Sequence, residues 1–264
     1  MSDSSDNKKE TREEMIETGI ERNRKGFAEI IVKDSEGNPI KDARIKVKQR
    51  THEFKYGANL FMLDELETPE KNELYKKYYA EAFNMATLPF YWNDLEPEKG
   101  KQRYEKGSAK IYRRPTIDLC IEFCEQNGIE PREHALAYDA FFPNWLCNSD
   151  VAECKREYER RCKEIAERYG NKINTIEVTN EMLWEKGKTA LYEEDDFVEY
   201  AFKTARKYFG SNQLVINEIP WIWGANGRTS DNYYSYIANA IHNGAPIDAI
   251  GMQYHMFFHE KDEL

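Results

Sequence analysis

From Gly57 onward, short apolar runs alternate with longer stretches of helical periodicity. The runs are GANLF (57–61), NMATLPFYW (84–92), PREHALAY (131–138), NTIEVTNE (174–181), QLVINE (213–218) and IDAIGMQYH (247–255). Apolar runs of this length, bounded by turn residues, predict buried strands. The segments between them have helix ends that can be read directly. Thr68 ahead of Pro69 is an N-cap followed by proline at the first helical position. DLCIEFCEQN stops at Gly128, Asp150 opens a long helix that stops at Gly170, and further helices stop at Gly210 and Gly244. Glycine is the usual residue for leaving a helix through the left-handed region. Strand–helix–strand repetition predicts parallel strands joined by right-handed crossovers.

The chain before Gly57 reads differently. GFAEIIVKD alternates, SEGNP is a turn signal and DARIKVKQR alternates again, so 25–56 predicts a β-hairpin with Gly37 and Pro39 at its turn. Residues 1–24 are highly charged with no core pattern and predict a disordered or helical leader. The sequence thus divides into a leader (1–24), a hairpin segment (25–56) and a main α/β domain (57–264).

Length agrees with one barrel-sized domain: 264 residues. The aromatic content of 13% argues against disorder. The formal net charge of −10 makes nucleic acid and anionic membrane surfaces poor partners. No apolar stretch is long enough to span a membrane. The opening MSDSSDNKKETREEM has no apolar h-region, so no signal peptide is visible and the cytoplasm is the default compartment. The terminal KDEL then reads as coincidental, because a retention signal means nothing without a signal for secretion. The five cysteines, scattered over helical segments, predict reduced thiols. No histidine or second cysteine pair completes a tetrahedral metal site, and neither metal nor organic cofactor is expected.

No GxGxxG or GxxxxGK[ST] loop follows any strand, which weakens a nucleotide-binding fold. Polar residues of catalytic type end the runs instead: His134, the pair Asn180–Glu181, the pair Asn217–Glu218, then Gln253 and His255. Polar groups gathered at strand C-termini mark the active face of a (β/α)₈ barrel. Six runs against the eight a closed barrel needs predict an incomplete TIM-type barrel of about six βα units. Glu181, which ends its strand run on that face, is the strongest single candidate for acid/base chemistry. Trp184, Trp221 and Trp223 follow the fourth and fifth strands and are candidate stacking platforms for sugars.

Five motifs, in order, resemble those of glycoside hydrolase family 10, the endo-β-1,4-xylanase family. NTIEVTNEM resembles WDVVNE, EHALAYDAFFPNWL resembles GHTLVWHxQxPxW, LVINE resembles LxINDYN, IDAIGMQYH resembles IDGIGxQxH, and WNDLEPEKGKQRY resembles WxxxEPxxGxFxF. The resemblance implies a retaining glycosidase acting on a β-linked oligo- or polysaccharide such as xylan. It makes Glu181 the general acid/base and Asn180 and His134 contacts to the sugar at the cleavage point. It makes Gln253 and His255 the pair that flanks and orients the nucleophile, and Asn217 the asparagine of the fifth-strand motif. Tyr138, at the family's tryptophan, and Trp184 complete the expected substrate-binding set. The sequence also departs from the family's pattern. Thr87, Leu88 and Tyr91 stand where the family has Glu, Asn and Lys, and Asp139 and Phe141 where it has His and Gln. The strand-7 glutamate that serves as nucleophile has no matching motif, and Glu218 falls where the family has an aspartate of another role. The sequence therefore reads as truncated before the nucleophile. Two alternatives stay open: a catalytically impaired carbohydrate-binding barrel, and an intracellular oligosaccharide-processing glycosidase.

Overall fold

A computed structural model of the chain describes residues 4–50, 52–183, 189–219 and 229–253. The chain forms two compact units, Met1–His52 and Glu53–Leu264.

The first unit holds helix α1 (Ser4–Asn23) and a tight turn. Asp34 builds that turn: its Oδ1 accepts the backbone N–H groups of Glu36 and Asn38, both at 2.9 Å, and Gly37 takes φ 88°. One antiparallel bridge, Lys33 to Pro39, sits beside it. The ladder expected over 25–56 is thus reduced to its turn, because Phe27, Ile30, Ile31, Ile45 and Val47 stay exposed and no buried face holds the two arms in register.

The second unit is a single parallel sheet of six strands: β1 (Gly57–Asn59), β2 (Met85–Pro89), β3 (Glu130–His134), β4 (Thr175–Asn180), β5 (Gln213–Glu218) and β6 (Ala249–Met252). Each strand pairs with its neighbours in sequence, in the order β1-β2-β3-β4-β5-β6. A doubly wound sheet reverses its strand order partway. An unreversed run of parallel strands is instead an arc of a (β/α)₈ barrel, here six strands long. Helices α2 (Pro69–Ala82), α3 (Trp92–Leu95), α4 (Ile117–Asn127), α5 (Val151–Tyr169), α6 (Ala190–Glu193), α7 (Phe197–Tyr208) and α8 (Thr229–His242) occupy the crossovers. Among the described residues, no helix is long and apolar enough to cross a membrane.

The helices begin as their sequences predict. Thr68 Oγ1 accepts from the Lys71 N–H, and Asp150 Oδ1 accepts from the Glu153 N–H at 2.7 Å. Two of the four glycine stops differ. Gly128 and Gly244 do leave through the left-handed region (φ 65° and 86°). Gly170 instead stays right-handed at φ −57°. A Cβ there would lie 2.6 Å from the Ala166 carbonyl that its own N–H bonds. α7 closes on Phe209, one residue before Gly210.

The core lies between sheet and helices. β4 is buried along its whole length. Its Ile176 and Val178, with Leu214 and Ile216 of β5, join the apolar faces of α5 and α7, including Cys154, Cys162, Ile165, Ala201 and Phe202. The EPEKG segment after α3 has a structural role. Glu96 is buried; it accepts the Gly100 N–H at 2.7 Å, and Nη2 of Arg160 on α5 lies 2.8 and 2.7 Å from its two oxygens. This charge-assisted contact ties the loop after β2 to α5.

Candidate active site

Parallel strands deliver their C-terminal residues to one rim, and registration places these residues side by side. Pro89 pairs with His134, Asn180 with Asn217, and Asn217 with Gly251. Gly251 is required by close approach: a Cβ there would lie 2.5 Å from Asn217 Oδ1. The absence of that carbon lets the Asn217 side chain sit over the β5–β6 junction. A cleft at this rim is lined by Thr87, Tyr91, Arg132, His134, Tyr138 and Phe141 on one side, and by Glu177, Asn180, Glu181, Asn217 and Gln253 on the other.

The hub of the cleft is Glu177, which is fully buried. Its carboxylate accepts from Arg132 and from Asn217 Nδ2 at 3.1 Å, and meets His134 Nδ1 at 2.8 Å. Burial would raise its pKa, but the charges and hydrogen bonds of His134, Arg132 and Asn217 outweigh burial and hold it below the usual carboxylate value. Asn217 Nδ2 also donates to Asn180 Oδ1 at 2.8 Å, and the same oxygen accepts from Gln253 Nε2 at 3.0 Å.

Glu181 leaves β4 in the left-handed region at φ 57°, with its N–H bonded to the Asn217 carbonyl at 3.0 Å. That conformation is uncommon for a residue with a Cβ, and it turns the side chain off the strand into the cleft. The carboxyl group is clamped at both ends. Tyr138 donates its hydroxyl to Oε2 at 2.6 Å, and Gln253 Nε2 donates to Oε1 at 2.7 Å.

The flank towards β2 and β3 is aromatic. Tyr91 and Phe141 stack with ring centroids 4.0 Å apart, Tyr138 lies 5.3 Å from Phe141, and His134 meets Tyr91 edge-on at 5.3 Å. The Arg114 guanidinium lies 4.3 Å from the Tyr91 ring centre, and its Nε pairs with Asp94 Oδ2 at 2.6 Å. A cation over a ring face is favourable, so the wall is braced from outside the cleft.

Two more carboxyl groups sit under the rim, both buried. Glu133 Oε2 accepts the Glu177 N–H at 3.0 Å, and burial pushes its pKa well up. Glu218 Oε1 accepts the Leu183 N–H at 3.0 Å, while its Oε2 has no hydrogen-bond partner among the described residues. Burial, aided by the negative charge of Glu181, pushes Glu218 up to about 8.

Of the residues singled out from sequence, His134, Tyr138, Asn180, Glu181, Asn217 and Gln253 meet in this one cleft. Gln253 bonds Glu181 and Asn180. His255, Trp184, Trp221, Trp223 and the terminal KDEL lie outside the described residues. Glu177 and Arg132 went unnoticed in the sequence, although an acid inside the apolar run TIEVTN and a base inside PREH were the signal.

Comparison with known proteins supplies a context for this geometry. Residues 52–263 match glycosyl hydrolase family 10. Endo-1,4-beta-xylanase 3 of Hypocrea jecorina is 30% identical over 171 residues, covering 62% of this chain and 46% of that enzyme. Endo-1,4-beta-xylanase 1 of Arabidopsis thaliana is 25% identical over 224 residues, covering 81% of this chain and 22% of the relative. The chain thus spans under half the length of these relatives. Among solved structures, an endo-1,4-beta-xylanase from Caldicellulosiruptor owensensis superposes with a TM-score of 0.64 at 19% identity, over 76% of this chain and 60% of that one. Xylanase 10B from Thermotoga petrophila, solved with xylobiose, gives 0.62 at 20% identity, over 76% of this chain and 59% of that one. At such identities the structural likeness speaks to the fold.

Proposed function

The chain belongs to glycosyl hydrolase family 10, and from that premise we propose that the whole protein is a retaining glycoside hydrolase cleaving β-1,4-linked xylan or a related oligosaccharide, with Glu181 as its general acid/base. The observation that carries this reading is the Glu181 carboxyl group, turned into the cleft and held by a donor on each oxygen.

In the first step Glu181 gives its proton to the glycosidic oxygen as the bond to the anomeric carbon breaks, while a second carboxylate attacks that carbon from the opposite face. In the second step Glu181 takes a proton from water, which displaces the carboxylate. The attacking carboxylate is assigned to the family's strand-7 glutamate and not to the two acids nearest at hand. Glu177 is committed to Arg132, His134 and Asn217. Glu218 is buried and, at about 8, mostly uncharged at neutral pH, so it is a poor nucleophile. His134, Asn180 and Asn217 would contact the sugar at the cleavage point, with Tyr138 beside them. The xylobiose bound to the Thermotoga petrophila enzyme supports a β-linked xylose chain as the ligand class.

The test uses the full-length protein on xylan and on xylo-oligosaccharides. Native protein should release the β-anomer first by proton NMR, and Glu181→Gln should lower turnover by about a hundredfold or more. First appearance of the α-anomer, or an unaffected Glu181→Gln variant, would overturn the assignment. A second reading, a binding barrel without catalysis, is favoured by the apolar stack of Tyr91 and Phe141 where the family has polar sugar contacts. Native protein that binds xylo-oligosaccharides without cleaving them would select it.

A further inference from the structure

We infer that Oε2 of Glu181, and not Oε1, carries the exchangeable proton, and that the Tyr138 hydroxyl is the positioning group that holds it there. This inference rests on the general-acid reading above. It follows from hydrogen-bond bookkeeping that starts at Glu177.

An ionised carboxylate can only accept. Arg132 and His134 keep Glu177 ionised, so the Asn217 atom at 3.1 Å from Glu177 Oε1 is the amide nitrogen. The same nitrogen lies 2.8 Å from Asn180, which must therefore present its oxygen, Oδ1. Gln253 meets that oxygen at 3.0 Å and must present its own nitrogen. Its second N–H then points at Glu181 Oε1, 2.7 Å away. An amide nitrogen has no lone pair to offer, so a proton on Oε1 directed at Gln253 would place two donors face to face. Asn217 of β5, Asn180 of β4 and Gln253 after β6 are thus all oriented by Glu177, and the relay ends by making Oε1 the accepting oxygen of Glu181.

The other oxygen faces a different kind of partner. A phenolic hydroxyl both donates and accepts, and Tyr138 stands 2.6 Å from Oε2. When Glu181 is ionised the hydroxyl donates to Oε2; when Glu181 is protonated and no sugar is bound the hydroxyl rotates and accepts from Oε2–H, and a bound glycosidic oxygen takes the place of Tyr138 as the acceptor of that proton. Tyr91 and Phe141 pack the Tyr138 ring at centroid distances of 6.2 and 5.3 Å, so the oxygen stays in place through both states. In the chemical step the Oε2–H bond breaks and its electron pair stays on Oε2. The proton bonds to the glycosidic oxygen, which takes the electron pair of its breaking bond to the anomeric carbon. Tyr138 then returns to donating. In the second step the water proton comes back to Oε2 by the reverse path.

The experiment compares native and Tyr138→Phe full-length protein on a series of aryl β-xylobiosides whose phenols span weak to strong acids. Expulsion of a weakly acidic phenol needs the proton from Glu181, whereas expulsion of dinitrophenolate does not. Loss of kcat/KM should therefore be about tenfold to a hundredfold on the poorest leaving group, and at least about tenfold smaller on the best. A purely structural role for the tyrosine predicts equal losses across the series, and that result, or no loss anywhere, overturns the inference. A second measurement does not depend on turnover. In infrared difference spectra across the titration of Glu181, with Glu181→Gln identifying its band, Gln253→Met should raise the protonated carboxyl's C=O stretch more than Tyr138→Phe does, because Gln253 donates to the oxygen that carries no proton. A larger rise in Tyr138→Phe overturns the oxygen assignment. The expected order of shifts in a protein that cleaves no glycoside leaves the assignment standing and sinks the hydrolase reading.

Discussion

Glu218 occupies a position in which a carboxylate is costly. Its side chain is fully buried at the end of β5, one oxygen is unpaired among the described residues, and Glu181 stands near enough to add repulsion. Its pKa of about 8 in the folded chain exceeds the ordinary 4.5, so the folded state holds this proton more tightly than the unfolded chain does. The associated stability is complete below about pH 4.5 and is lost as pH rises through 8, because folded protein must then either keep a proton the solvent no longer supplies or bury a charge. Glu218→Gln cannot ionise, so it should lose less stability than the native protein between pH 5 and pH 8. The relative gain should reach a few kcal/mol, since one pKa unit corresponds to about 1.4 kcal/mol. Urea unfolding of both proteins at the two pH values measures this. A difference between them that does not grow with pH would show that Glu218 is ionised in the fold. Glu177, equally buried but held below the usual value by His134, Arg132 and Asn217, has the opposite sign. Its stabilisation is present above about pH 4.5 and fades in acid, so it does not confuse the window from about pH 5 to 8.

The elements show what sequence could and could not reveal. All six strands were legible because each apolar run stands between charged helical segments, and their polar ends were legible because a His, Asn, Glu or Gln follows directly on the run. Glu177 was hidden because it lies inside its run, and because its partners Arg132 and His134 are 45 and 43 residues away. The hairpin was over-read. Alternation gives two strand-like arms, but among the described residues the Asp34 turn and the single bridge beside it are what forms. Arg161 was equally invisible, since a charge on a charged helix reads as solvated. It is in fact 2% exposed and bridges elements. Its guanidinium donates to the Leu136 and Ala135 carbonyls at 3.1 and 3.2 Å and to the Phe90 carbonyl. It also lies over the Trp92 ring at 5.2 Å. These carbonyls leave the ends of β2 and β3, immediately beside His134 and Tyr91. Arg161→Met should therefore cost about 3–5 kcal/mol in chemical denaturation, because three buried acceptors lose their donor together. Arg161→Lys should recover little, since an ammonium cannot reproduce the planar fork. A cost below about 1 kcal/mol for the methionine variant would show that water reaches these carbonyls.

At the scale of the whole sheet, the consequence of a six-strand arc falls on its last strand. β6 is paired with β5, and among the described residues no strand pairs with its other edge. Ile250 and Met252 project from one face of β6 and are 56% and 49% exposed, whereas Ile176 and Val178 of β4 are fully buried. An apolar side chain on the unpaired edge of a strand is a template for pairing with another chain. Ile250→Lys in the 264-residue chain should consequently reduce self-association, because a charge on an edge strand blocks a second copy from docking there. Sedimentation velocity over a concentration series reads this as a shift from oligomers towards monomer. In a longer protein whose next strand and helix cover β6, the same substitution should act in the opposite direction, lowering stability by about 2–4 kcal/mol through burial of an unpaired charge in place of an apolar side chain. The two results together are diagnostic. If Ile250→Lys leaves association of the 264-residue chain unchanged and also leaves the longer protein as stable as before, the β6 edge is neither sticky when open nor covered when extended. The arc would then be a finished sheet and not part of a closing cylinder.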